Sequence, residues 1–147
     1  GAGVAVGANG TILWTNDGGL SWVKLNSTTN NTLFSVSITD AHTATAVGDN
    51  GTVVRTTDGG LSWVPLSSTV FTSLYAVSFI NANDGTIAGS TTGILHTNDG
   101  GQTWVKQRFT MQNAVQGIHS RQGEDITVVG VLGMIVRTIS CSSSATP

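Results

Sequence analysis

The chain has 147 residues, a net charge of −2 and only 10% charged residues, against roughly a quarter in an average globular domain. Ser, Thr and Asn fill about a third of it, so its polar surface is built from hydroxyls and amides, which suits short strands, tight turns and an exported protein. The absence of a basic run argues against a nucleic-acid or anionic-membrane partner, no apolar run approaches the roughly 20 residues of a membrane span, and Cys141, the single cysteine, rules out an internal disulfide.

The sequence repeats without a gap. Residues 1–7 match 42–48, 83–89 and 124–130, each ending on a glycine (Gly7, Gly48, Gly89, Gly130). This segment is strand B. Asn9-Gly10 and Asn50-Gly51 follow as hairpin turns. Strand C comes next, at Thr11–Thr15, Thr52–Thr56, Gly93–Thr97 and Met134–Thr138. It is apolar on both faces: Ile12, Val53, Ile94 and Ile135 form one column, and Leu13, Val54, Leu95 and Val136 the other. Such a strand must be covered on both sides, which predicts stacked sheets.

The next segment reads Thr15-Asn16-Asp17-Gly18-Gly19-Leu20-Ser21-Trp22, and returns at 56–63 and 97–104. Asp-Gly-Gly supplies positive φ for a tight turn, and the aspartate can accept from backbone N–H groups across the bend. Trp22, Trp63 and Trp104 stand 41 residues apart, the period of a four-stranded propeller blade. Each opens strand D and is expected to cover a neighbouring sheet. Polar connectors (Asn26–Thr32, Ser67–Ser73) lead to strand A at Leu33–Thr39, Leu74–Ile80 and Val115–Ser120. Its small column, Ser35, Ala76 and Gly117, predicts that strand A is innermost.

The expected fold is therefore all-β, with antiparallel blades over 1–25, 33–66, 74–107 and 115–138 and a tail at 139–147. The first blade lacks a strand A. The fourth lacks a strand D of the usual kind, since the chain reads Ile139–Pro147 where a turn and a tryptophan are due. Open edges at Val4–Val6 and Met134–Thr138 predict a homo-oligomer, a filament, or a piece cut from a longer propeller. The first residues do not read as a signal peptide, so export would require one already removed.

Thr-x-Asp-x-Gly-x-Ser/Thr-Trp, three times over, resembles the Asp-box, or bacterial neuraminidase repeat, family of β-propellers. The phrase Ala46-Val47-Gly48-Asp49-Asn50-Gly51-Thr52-Val53-Val54-Arg55-Thr56-Thr57-Asp58-Gly59-Gly60 is similar to the repeats of photosystem II assembly/stability factors and of many secreted bacterial proteins. The resemblance implies scaffold roles for Asp17, Gly19, Trp22, Asp58, Gly60, Trp63, Asp99, Gly101 and Trp104. It also implies a partner surface wherever arginine recurs beside the box.

Trp14, Arg55, His96 and Arg137 occupy one strand C column. They are either a shared protein- or glycan-binding surface or side chains packing beside the box. A sialidase-like enzyme would need three convergent arginines, a tyrosine paired with a glutamate and an acid/base. Arg55 and Arg137 share that column, but Arg108, Arg121, Tyr75 and Glu124 lie at unrelated positions, so a non-catalytic module without cofactor or metal is expected. One carboxylate per turn is too few for calcium, and His42, His96 and His119 do not share a repeat position. The expected function is protein binding or self-assembly outside the cell or at its surface. The alternatives are a glycan-binding or sialidase-like module, or a photosystem-assembly-type chaperone in a periplasm or thylakoid lumen.

Overall fold

Fourteen strands occur among the described residues of the computed structural model, which are 1–91, 93–107, 115–120, 126–130 and 135–138. Blade one is β1 (Gly3–Val6), β2 (Ile12–Thr15) and β3 (Val23–Leu25), and blade two is β4 (Leu33–Ile38), β5 (Ala44–Gly48), β6 (Thr52–Thr56) and β7 (Val64–Ser67). Blade three is β8 (Leu74–Phe79), β9 (Gly85–Gly89), β10 (Gly93–Thr97) and β11 (Val105–Lys106), and blade four is β12 (Val115–Ser120), β13 (Ile126–Gly130) and β14 (Ile135–Thr138). Each blade is one antiparallel meander whose strands lie in chain order. The fold is a propeller of about three and a half blades.

Apolar residues on both faces of strand C place the core between sheets rather than within one. Ile12 and Trp14 of blade one pack with Ala44, Ala46, Val54 and Trp63 of blade two. Val47 and Val53 of blade two meet Leu74, Ile87, Leu95 and Trp104 of blade three. Ala88 and Ile94 then meet Val115, Ile126 and Val128 of blade four. The tryptophan after each turn thus covers the blade before it.

That rule corrects one expectation. Trp63 is 2% exposed and Trp104 7%, but Trp22 is 45% exposed. No described blade precedes blade one, so Trp22 covers no other sheet among the described residues. Leu13 is only partly buried for the same reason, whereas Val54 and Leu95 in its column are buried.

The inner strands β4, β8 and β12 lie side by side. Serine hydroxyls join them where backbone ladders do not. The Val77 N–H donates to Ser35 Oγ at 3.3 Å, the Phe79 N–H to Ser37 Oγ at 2.9 Å, and the Ser120 N–H to Ser78 Oγ at 3.0 Å. An inner strand is paired on one edge only, and these hydroxyls satisfy N–H groups on its other edge without merging the sheets.

Each inner strand also carries a bulge at the same point. The register slips between Leu33 and Ser35, between Leu74 and Ala76, and between Val115 and Gly117. The extra residues are Phe34, Tyr75 and Gln116.

Candidate functional site

The Asp-Gly-Gly turns are closed hydrogen-bonded units. Thr56 Oγ1 donates to Asp58 Oδ1 at 2.7 Å and accepts from the Gly60 N–H at 3.0 Å. The Ser62 N–H and hydroxyl donate to the two oxygens of the same carboxylate at 2.9 and 2.5 Å. Blade one repeats this with Thr15, Asp17, Gly19 and Ser21. Blade three repeats it with Thr97, Asp99, Gly101 and Thr103.

Donors from Ser62 and Thr103, followed by Thr56 and Thr97, lower the Asp58 and Asp99 pKa values to about 2. Asp17 is pushed further below the usual carboxylate range, by Ser21 first and then Thr15. Carboxylates so engaged are fixed as anions and point at their own turns.

The glycines of these turns seat the preceding blade. Gly60 adopts φ +86°, and an added Cβ would lie 2.5 Å from Leu25 Cδ1 and 3.2 Å from Trp14 Cε3. At Gly101 (φ +88°) it would lie 3.1 Å from Leu66 Cδ1. Positive φ and close approach both require glycine here. Gly19, at φ +91°, meets only its own Trp22 at 3.8 Å.

Within the strand C column, Trp14 and Arg55 are not free surface residues. Trp14, Arg55, His96 and Arg137 sit opposite Val4, Thr45, Thr86 and Thr127 respectively, on one rung of successive blades. Trp14 is 8% exposed and Arg55 9%, because the column faces the next blade.

The Arg55 guanidinium donates to Thr45 Oγ1 at 2.7 Å and to the Ala82 carbonyl of blade three. It also lies 5.0 Å from the Phe79 ring centroid, within cation–π range. Burial lowers its pKa, while the charge of Asp40 opposes that shift. These contacts clasp blade two to blade three. His96 is partly buried, with Nδ1 3.4 Å from Thr86 Oγ1. The Arg137 side chain, Arg108, Arg121, Glu124, Cys141 and the tail 139–147 lie outside the described residues.

Two clefts open along these seams. One of about 470 Å³ lies between blades two and three, lined by Thr43, Arg55, Val64, Asn83, Asp99 and Gln102. A smaller one of about 200 Å³ lies between blades one and two, beside Trp14, Val23 and Gly60. Among the described residues, no three His, Cys, Asp or Glu side chains are grouped to hold a metal, and no helix is long and apolar enough to cross a membrane.

The bulged residues form a second surface, one that strand alternation alone does not reveal. Phe34 is 42% exposed, and its ring lies 5.3 Å from that of Tyr75 at an angle of 50°. Gln116, next in the row, is exposed. The signal in the sequence was an aromatic pair recurring beside the small column of strand A.

The family model described as "Photosynthesis system II assembly factor YCF48" matches residues 20–139. Among solved structures, "YCF48 bound to D1 peptide" is 30% identical, with a TM-score of 0.67 over 79% of this chain and 39% of that one. YCF48 from Cyanidioschyzon merolae is 16% identical and shares the fold, with a TM-score of 0.74 over 92% of this chain and 49% of that one. An ancestral GH74 enzyme, 21% identical, also shares the fold, at a TM-score of 0.60 over 87% of this chain and 21% of that one. The chain therefore spans less than half the length of each of these proteins. The curated proteins yielded no match. A model match over 120 residues and a relative at 30% identity place the chain in the photosynthesis system II assembly factor YCF48 family.

Proposed function

We propose that this chain forms part of a non-catalytic propeller that binds an extended peptide of a photosystem II protein, as an assembly-type chaperone. The observation that carries this reading is the likeness, at 30% identity over 79% of the chain, to a YCF48 structure bound to a D1 peptide. It favours the photosystem-assembly alternative over a general extracellular module, and a thylakoid lumen over the cell surface. The engaged carboxylates of Asp17, Asp58 and Asp99 support a scaffold role for the turns rather than acid–base chemistry. The likeness to a GH74 enzyme is one of fold, and a fold does not transfer an activity.

Fluorescence anisotropy with labelled peptides tiling the D1 sequence tests the proposal. Saturable binding of a defined segment, absent for its scrambled version, is expected. Failure of every segment to bind would refute it. A second reading, self-association through the open face of blade one, is favoured by the half-exposed Trp22 and by Leu13. Light scattering behind a sizing column tests it, and a particle of single-chain mass at micromolar concentration would count against it.

A further inference from the structure

The fold requires the bulges at the start of the inner strands, but not the side chains they carry. A Cβ on Gly48 would lie 2.0 Å from the Thr32 carbonyl oxygen and 2.9 Å from Leu33 Cα. The chain entering β4 thus crosses β5 too closely for regular pairing, and one extra residue takes up the slack. That residue has no cross-strand partner. In a chain so rich in Ser, Thr and Asn, a hydroxyl or amide would serve there. Blades two and three instead present Phe34 and Tyr75, and blade four presents Gln116.

The surroundings define what such a row can receive. At this end of the blades lie the connectors 26–32 and 67–73 and the turns 8–11 and 49–51. Among their residues the one charged side chain is Asp49, whose carboxylate accepts from Ser73 Oγ at 2.8 Å. Phe71, 90% exposed, stands four residues before Tyr75 on the connector into β8. An aromatic surface whose described neighbours are amides, hydroxyls and one hydrogen-bonded carboxylate complements an uncharged ligand. Its two rings pack against each other, 5.3 Å apart and inclined by 50°, so they present a stepped apolar face to a side chain rather than a flat bed to a sugar ring.

We propose that Phe34, Tyr75 and Gln116 form a docking row for an uncharged, apolar stretch of an extended peptide. Its aliphatic or aromatic side chains pack over the exposed faces of the two rings. The Gln116 amide, both donor and acceptor, bonds the peptide backbone. This inference rests on the peptide-binding reading above and assigns it a surface distinct from the Arg55 seam.

The test compares the wild-type chain with Phe34→Ser/Tyr75→Ser and with Tyr75→Phe, using the same labelled D1 peptides and a neutral oligosaccharide panel. The proposal expects an apolar, uncharged segment to bind, about tenfold or more weaker in the double variant, as for loss of a central aromatic anchor. It expects unchanged affinity in Tyr75→Phe. Wild-type affinity in the double variant would overturn the docking row while leaving peptide binding intact. Binding only of charged segments would also overturn it. Binding of sugars in place of peptides, lost in the double variant, would refute the peptide occupant. No binding by the wild type would refute both readings. Because Tyr75 is the single tyrosine, its ring resonance in the unmodified protein gives an independent readout. The resonance shifts on peptide addition if the row is the site, and an unmoved resonance at saturation overturns it.

Discussion

Replacing Trp63 with alanine should cost markedly more stability than the same change at Trp22, although the two residues occupy the same place in the repeat. A tryptophan offers about 200 Å² for burial, and each Å² removed from water contributes about 25 cal/mol. Trp63, 2% exposed, uses nearly all of that surface; Trp22, 45% exposed, uses little more than half. The corresponding losses are about 5 and about 3 kcal/mol, before the retained Cβ is subtracted. The Trp63 indole N–H is buried without a hydrogen-bond partner among the described residues, so its loss is one of packing alone. The assay is urea unfolding followed by far-ultraviolet circular dichroism. With an m-value of about 2 kcal/mol/M, the two midpoints should differ by about 1 M at unchanged m. Equal midpoints would refute the argument that Trp63 is stabilised by the blade before it.

Arg55→Ala should lower stability by about 2 kcal/mol, the scale of losing charge-assisted hydrogen bonds at a buried site, and a melting temperature unchanged from wild type would restore the view of Arg55 as a free surface residue. The turn carboxylates of Asp58 and Asp99 have folded pKa values of about 2. Depressed below the unfolded value, they contribute stability that is complete above the ordinary carboxylate range and is lost as pH falls through about 2. Carboxyl carbon chemical shifts should therefore titrate near pH 2; midpoints near 3.8, the ordinary value of an aspartate, would contradict the geometry. Gly60→Ala should destabilise by about 1–3 kcal/mol more than Gly19→Ala through overpacking, because only Gly60 abuts a leucine of the preceding blade. Thermal unfolding of the two variants checks this, and equal losses would show that positive φ alone sets the cost.

The blade architecture was legible because it depends on columns. A strand C apolar on both faces and an Asp-Gly-Gly turn every 41 residues are local patterns that specify stacked sheets. What depended on a neighbour was not legible. Trp22 and Trp63 sit in identical octamer frames, and only the presence of a sheet beside them separates 45% from 2% exposure. Arg55 stood between a surface cation and a packing residue because its partners, the Ala82 carbonyl and the Phe79 ring, lie in the next repeat. The exposed pairing of Phe34 with Tyr75 was not legible because strict alternation cannot register a one-residue bulge.

The contact between Leu25 and Gly60, repeated by Leu66 and Gly101, bears on how such a protein can change over evolutionary time. Blades one and two each carry a protruding leucine on one flank, and the turns of blades two and three each present a glycine hollow to it. In blade two, Gly60 and Leu66 hold both halves of the joint within the same stretch of gene. A duplication or deletion of that in-frame unit of 41 codons therefore leaves a leucine facing a glycine at these joints. Such lineages can alter blade number in a single recombination event, without a compensating substitution at either joint.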